Sequence, residues 1–263
     1  MIIFDFNEKY NIQLMNVYII PDQHGERNWE KVYNVEADYY VSLGDWFDSF
    51  IIPHSEQLTV FNEYIEWVKL DPSHRLSCIG NHDLAYLMDV SEGEFVSGHN
   101  NWYHEQIHNA LLTNIKYFKP YCVIDDIVFS HAGFTKSWIN RFNIDMDDLW
   151  SNWQNYYNKL KFVEPVNVDE IVNSSPTGDN LYQSPLWIRP YSLLKDSYYK
   201  YQIVGHTEMC RSKPLYLEYN NKKVMFCDSQ KHKLLTMINT AEFKHATLFN
   251  KLDNNSIFEL MTD

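Results

Sequence analysis

The sequence predicts an α/β fold of layered strands and helices, and three observations carry that reading. Short β-branched or aromatic runs alternate with stretches of helical spacing through the first half of the chain. Strand-like runs return near the end. Clusters of Asp, His and Asn follow the strand-like runs, and in α/β sheets the carboxyl ends of strands converge on one crevice.

Candidate strands are Val17 to Ile20, Tyr39 to Leu43, Leu76 to Ile79, Tyr121 to Phe129, Gln202 to Val204 and Val224 to Phe226. Each is short and apolar, and many end in Gly or Asp. Glu56 to Leu70 reads as a helix, with Leu58, Phe61, Ile65 and Val68 at helical spacing. It stops before Asp71-Pro72, because the residue before proline is pushed out of the helical region. Trp102 to Leu112 and Met146 to Leu160 also read as helices. The acidic run Asp145 to Asp148 suits the N-terminal turn of the latter, where negative charge opposes the helix dipole. Trp150, Trp153, Tyr156 and Tyr157 recur mainly at three and four, which reads as a core stripe. Residues 161–185 are polar and carry Pro, Ser, Asn and Gly, the composition of a long surface excursion. No repeat or linker divides the chain, so one domain over 1–263 is expected.

Composition limits the function. With 263 residues and 45% hydrophobic content the chain can bury a sizeable core. A formal net charge of -13 disfavours a broad nucleic-acid surface. No run of 18 apolar residues offers a membrane span, and the N-terminus lacks the basic start and apolar run of a signal peptide. A cytoplasmic protein is the default expectation. Cys78, Cys122, Cys210 and Cys227 lie far apart without a C-x-x-C pair, so they are expected reduced and mostly buried.

The strand-end clusters are Asp22-Gln23-His24-Gly25, Gly44-Asp45-Trp46-Phe47-Asp48, Gly80-Asn81-His82-Asp83, Ser130-His131-Ala132-Gly133 and Gly205-His206-Thr207. Carboxylate, imidazole and amide oxygen together suit Mn, Fe or Zn, and no thiolate joins the set. A short Asp can bridge two cations, offsetting their repulsion. At a separation of roughly 3.5–4 Å such a pair turns a bridging water into hydroxide near neutral pH, in line to attack phosphorus.

In this order, D-x-H-G, G-D-x-x-D, G-N-H-D, H-A-G and G-H-T resemble the signature of the calcineurin-like metallophosphoesterases. The nearest resemblance is to the phosphoprotein phosphatase branch, which also holds phage protein phosphatases and bacterial diadenosine-tetraphosphate hydrolases. The motifs run from Asp22 to about His206, roughly two-thirds of the chain. The resemblance implies a four-layer αββα sandwich, two mixed β-sheets flanked by helices. It implies two divalent metal ions, Mn foremost, with Asp22 and His24 on the first, Asp45 bridging, and Asn81, His131 and His206 on the second. His82 would be the general acid, oriented by Asp48, and Arg189 would clamp phosphate, since a guanidinium can hold two oxygens at once.

Two departures bear on substrate. His206-Thr207-Glu208 replaces the G-H-x-H of many superfamily members, and Ser49 follows Asp48 where the branch usually has Arg. One phosphate clamp is then missing unless Arg27 or Arg211 reaches in. The expected activity is hydrolysis of phosphate monoesters, on phosphoprotein or small phosphates. Hydrolysis of dinucleoside polyphosphates is the enzymatic alternative, and a degenerate scaffold kept for binding is the alternative of another class. His54, His74, His99, His104, His108, His232 and His245 match no motif and read as surface or structural.

Overall fold

The computed structural model describes residues 15–93, 96–162, 180–209, 213–228, 236–245 and 250–251. Its strands are β1 (Asn16–Ile20), β2 (Tyr39–Ser42), β3 (Arg75–Cys78), β4 (Phe118–Lys119), β5 (Tyr121–Ile124), β6 (Ile127–Ser130), β7 (Tyr201–Val204), β8 (Leu215–Tyr219), β9 (Lys222–Phe226), β10 (Thr236–Asn239) and β11 (Asn250–Lys251). They form two mixed sheets, one in the order β10-β1-β2-β3-β4 and the other in the order β11-β8-β9-β7-β6-β5. β1 to β4 run parallel with β10 antiparallel at the edge, and β6, β7 and β9 run parallel between antiparallel hairpins.

Side-chain alternation builds the layers. In β1, Val17 and Ile19 enter the core between the sheets, while Tyr18 and Ile20 join the helix-facing core. In β9, Met225 lies in the inter-sheet core and Val224 and Phe226 pack with Leu193 and Leu194 on the outer face. Both faces of these strands are therefore dry, which explains why they read as unbroken apolar runs. The first sheet is covered by α1 (His54–Leu70), whose Val60, Phe61, Tyr64, Ile65 and Val68 are buried. The second is covered by the helix Pro190–Asp196. The result is the expected four-layer sandwich.

The departures have local causes. Tyr121 to Phe129 is two strands, reversed at Asp125-Asp126, both with positive φ (48° and 65°), the geometry of a two-residue primed hairpin turn. β8 went unread because Leu215 and Leu217 alternate with Tyr216 and Glu218; it joins β9 through a similar turn at Asn220-Asn221. The helix expected over Met146 to Leu160 breaks at Asn152 into Met146–Ser151, a 3-10 turn Trp153–Tyr156 and Tyr157–Leu160. Asp145 caps it by accepting from the Asp147 and Asp148 N–H groups. Only Trp153 of the aromatic stripe is fully buried; Trp150 is exposed under the Lys119 ammonium, 4.2 Å from its ring centroid. Residues 163–179 of the expected excursion lie outside the described residues. Its returning limb is not on the surface: Asn180, Gln183 and Ser184 are buried, and Pro185 accepts the Ala132 N–H at 2.9 Å. Cys78, Cys122 and Cys227 are buried free thiols, and Cys210 lies outside the described residues.

Candidate metal centre

The motif residues meet at the carboxyl ends of β1, β2, β3, β6 and β7, in the loops that follow. Four of them, His24, Asp45, Asp48 and His206, hold positive φ between 47° and 71°. That region is costly for non-glycine residues and persists only where surroundings impose it, most often at functional sites. Here the constraint is visible. Asp83, on the short helix α2 (Asn81–Leu87), accepts N–H bonds from Asp45 (2.8 Å), Trp46 (2.8 Å) and Gly80 (3.0 Å). Gln23 and His24 in turn donate to the Asp45 carbonyl, both at 2.9 Å. Two glycines are required by close approach. A Cβ on Gly80 would stand 2.1 Å from Asp45 Oδ1, and one on Gly205 would stand 2.2 Å from Asp22 Oδ1.

Asp45 is the hub. Its Oδ1 accepts the His82 N–H at 3.0 Å, and its Oδ2 faces His131 Nε2 at 3.4 Å and both His24 Nε2 and His82 Nε2 at 3.9 Å. Backbone carbonyls set the imidazoles: His24 Nδ1 donates to Phe47 O (2.5 Å) and His131 Nδ1 to Leu43 O (2.9 Å). Each ring thus turns an unprotonated Nε2 inward, as metal-ligating histidines do. Asn81 Oδ1 lies 2.7 Å from His131 Nε2 and 3.1 Å from His206 Nδ1, and the two ring nitrogens are 3.1 Å apart. Burial, then the charges of His131 and Arg189, holds His206 well below the usual imidazole range, so it too offers a neutral ring nitrogen.

These three atoms can share ring protons in hydrogen bonds or, with their lone pairs turned inward, hold a cation. Asp22 adds to the set: its Oδ2 accepts the His206 N–H at 2.9 Å, and its buried Oδ1 has no hydrogen-bond partner. Burial pushes the Asp45 carboxyl well up, with Asp22 and Asp83 adding to the rise against the pull of His82; positive charge beside it would restore the ionised form. Burial likewise pushes the Cys227 thiol well up, which keeps thiolate out of the donor set. The residues therefore fit divalent cations of nitrogen and oxygen preference, in two donor groups that share Asp45: His24, Asp45 and His82, and Asp45, His131 and His206.

Beside the hub stands a dyad. Asp48 Oδ2 meets His82 Nδ1 at 2.8 Å. Burial lowers His82, but Asp45 and Asp48 outweigh it and raise the imidazole above its usual value. Burial would raise Asp48, yet the neighbouring His54 imidazole and the hydrogen bonds from His82 and Tyr86 bring it down to about 2. Three contributors here were not singled out from the sequence. Tyr86 donates to Asp48 Oδ1 at 2.5 Å, His54 Nε2 lies 3.6 Å from the same oxygen, and Asp83 braces the loop. Tyr86 could have been found, since it falls four residues after His82 on one helix face. Asp83 stood inside its motif without a role, and nothing in the sequence ties His54 to Asp48. His54 and His104 are largely buried, so of the surface or structural reading it is the structural half that holds for them.

Arg189 precedes the helix Pro190–Asp196, and its Nη1 donates to Thr207 Oγ1 at 3.4 Å, next to His206. Trp187 stands edge-on to His206, ring centroids 5.9 Å apart. Arg27 does not reach in: its guanidinium is held by Glu30 and Glu63 at 2.5 Å each. Arg211 lies outside the described residues. Ser49 is committed locally, its Oγ accepting the Ile51 and Ile52 N–H groups at 3.3 and 3.1 Å.

A two-sheet α/β sandwich whose strand ends gather a carboxylate, imidazole and amide cradle defines a metal-binding phosphoesterase scaffold. Sequence comparison agrees. The chain belongs to the calcineurin-like phosphoesterases, a family of metal-dependent phosphoric ester hydrolases, whose profile matches residues 15–209. Its fold is similar to the cold-active protein-tyrosine phosphatase of a psychrophilic Shewanella species. The TM-score is 0.54 at 16% identity, covering 84% of this chain and 72% of that one. A looser likeness is to a Saccharomyces cerevisiae protein serine/threonine phosphatase, with TM-score 0.49 and 13% identity over 86% of this chain and 79% of that one. A 142-residue stretch, 52% of this chain, is 27% identical to a fructose-bisphosphate aldolase of Saccharomyces cerevisiae and spans 39% of that protein. No described helix is long and apolar enough to cross a membrane.

Proposed function

We propose that the chain, acting as one domain, hydrolyses phosphate monoesters with two divalent cations, Mn²⁺ foremost, held by Asp22, His24, Asp45, Asn81, His131 and His206. The observation that carries the reading is the Asp45 carboxylate between two sets of inward-facing imidazoles, with the His82–Asp48 pair beside it. When bound, the cations supply charge neutralisation and an activated water. The protein's own groups do the rest. Arg189, held beside Thr207, grips phosphate oxygens. As the ester P–O bond breaks, His82 gives its Nε2 proton to the leaving oxygen, and Asp48 keeps the ring turned for that transfer. The departing alcohol and orthophosphate then balance the water consumed. Phosphorylated protein or small phosphates are the substrates this chemistry suits.

The test is parallel hydrolysis of p-nitrophenyl phosphate, its bis-ester and diadenosine tetraphosphate, with Mn²⁺ and with EDTA. Monoester turnover should exceed the others, vanish in EDTA and vanish in Asp45→Asn. His82→Ala should lower turnover by about 10²–10⁴-fold while two metals remain bound; loss of a metal instead would make His82 a ligand of the group it forms with His24 and Asp45. Full activity in metal-free protein would sink the proposal, and preference for the tetraphosphate would favour a nucleotide phosphohydrolase.

A further inference from the structure

We infer that His54 and Asn100 are positioning residues of the reaction centre: Asn100 turns the His54 Nε2–H toward one oxygen of Asp48, which leaves the other oxygen to the His82 ring. The inference rests on the proposed role of His82 as proton donor, a role Asp48 serves by orienting that ring. His54 opens α1 and Asn100 lies in a loop that follows α2. Neither belongs to a motif.

The directions of the protons follow from Asn100. Its Oδ1 accepts the Trp102 N–H at 3.0 Å, so the nitrogen end of the amide is the end that meets His54. An amide nitrogen only donates, and Asn100 Nδ2 lies 3.4 Å from His54 Nδ1. That ring nitrogen is therefore the acceptor, and the neutral ring carries its proton on Nε2. The Asn100 backbone N–H donates to Tyr86 Oη at 3.0 Å, which sends the single hydroxyl proton of Tyr86 to Asp48 Oδ1. One residue thus aims two donors at the same oxygen. Asp48 Oδ2 is left for His82 Nδ1 at 2.8 Å, and the proton that moves in the reaction sits on His82 Nε2.

His54 Nε2 is buried, makes no hydrogen bond among the described residues, and stands 3.6 Å from Asp48 Oδ1. A buried donor without a partner calls for an explanation. Hydrogen bonds within a catalytic group are often long in the resting site and shorten once substrate is bound, and Asp48 Oδ1 is the acceptor within reach. The ring is steadied by Tyr103, which stacks on it with centroids 5.6 Å and planes 20° apart. Gly98 lies against Asp48, close enough that a Cβ there would meet the Asp48 carbonyl oxygen at 2.9 Å. Residues 98–103 therefore pack on the backbone of Asp48 and also direct the donors that face its carboxylate.

The test separates leaving groups. p-Nitrophenolate departs with little help, whereas phenolate needs the proton that His82 gives. His54→Phe keeps a ring stacked on Tyr103 and removes the N–H. It should lower kcat about 3–10-fold on phenyl phosphate and far less on p-nitrophenyl phosphate, with metal content unchanged. His54→Gln, whose amide nitrogen can stand near the Nε2 position, should restore most of the loss. Equal losses on both esters, or no rescue by Gln, overturn the inference. Two ¹⁵N NMR measurements on the chain loaded with diamagnetic Zn²⁺ need no turnover. His54 should carry its proton on Nε2 in wild type and gain one on Nδ1 in Asn100→Asp, which keeps an oxygen for Trp102 and replaces the donor. A wild-type ring protonated on Nδ1 alone overturns the inference. The His82 Nδ1–H should exchange with water faster in His54→Phe than in wild type or His54→Gln. If no ester is hydrolysed, or His82→Ala loses equally on both, the proposed function fails. The positioning of the His82 ring is then decided by that exchange: it stands if the rate rises in His54→Phe and falls if the rate is unchanged.

Discussion

Asp83→Asn should uncouple the cradle from the fold while leaving every metal-facing side chain in place. The Asp83 carboxylate accepts three buried N–H groups, two on Oδ2 and one on Oδ1. An amide offers one oxygen, so its best placement strands the Trp46 N–H and its worst strands those of Asp45 and Gly80. One stranded buried donor costs about 1–3 kcal/mol, and the surviving bonds each lose about 1 kcal/mol in passing from charged to neutral acceptor. Removing a buried charge returns part of this, leaving a net loss of about 3 kcal/mol. In a chain of this size that lowers Tm by about 6–12 °C. Either placement releases a donor of the Asp45-Trp46 turn, so the left-handed turn carrying the hub should loosen and Mn²⁺ affinity should fall with stability. Calorimetry with and without Mn²⁺, together with metal stoichiometry, makes the measurement. A Tm drop under about 2 °C with affinity unchanged would refute the view that Asp83 holds the hub.

Tyr86→Phe should reduce turnover about tenfold with metal content intact, because it removes a charge-assisted bond to Asp48; unchanged kcat would dismiss Tyr86 as a positioning group. Gly205→Ala should abolish metal binding, since its Cβ would collide with Asp22 Oδ1, and retention of two metals by a folded variant would contradict that packing. Asp48 has a carboxyl lowered in the fold to about 2, so the stability it contributes is present above the ordinary carboxylate range and is lost as pH falls from about 4 to about 2, about 2 kcal/mol in all. Acid titrations of wild type and Asp48→Asn, followed by circular dichroism, should diverge at neutral pH and converge at the acid end.

The fold was readable in the sequence wherever strands are buried on both faces, as at Val17 to Ile20 and Val224 to Phe226, because nothing polar interrupts the run. Where a strand lies half-exposed, as at Leu215 to Tyr219, or a hairpin turns on Asp125-Asp126 inside an apolar stretch, period and length misled. The site was legible because its donors are rare residue types at strand ends. Its supports were not. Asp83 reaches backbone groups 37 and 38 positions away, and contact at that range is a product of the fold; His54 and Gln57 act on Asp48 and Ser49 through a loop whose path the sequence does not show. Arg27 illustrates the opposite error: a charge near a motif in sequence had already found Glu30 and Glu63.

The convergence of Asn81 Oδ1, His131 Nε2 and His206 Nδ1 within 3.1 Å of one another has a consequence for the life of the chain outside its chemistry. The unfolded chain does not gather these donors, so under the proposed function cations would bind the native state alone and add RT ln(1 + [L]/Kd) to its stability. Metal supply would then set how long each copy survives proteolysis. Starved of its cations, the protein would be removed as well as silenced.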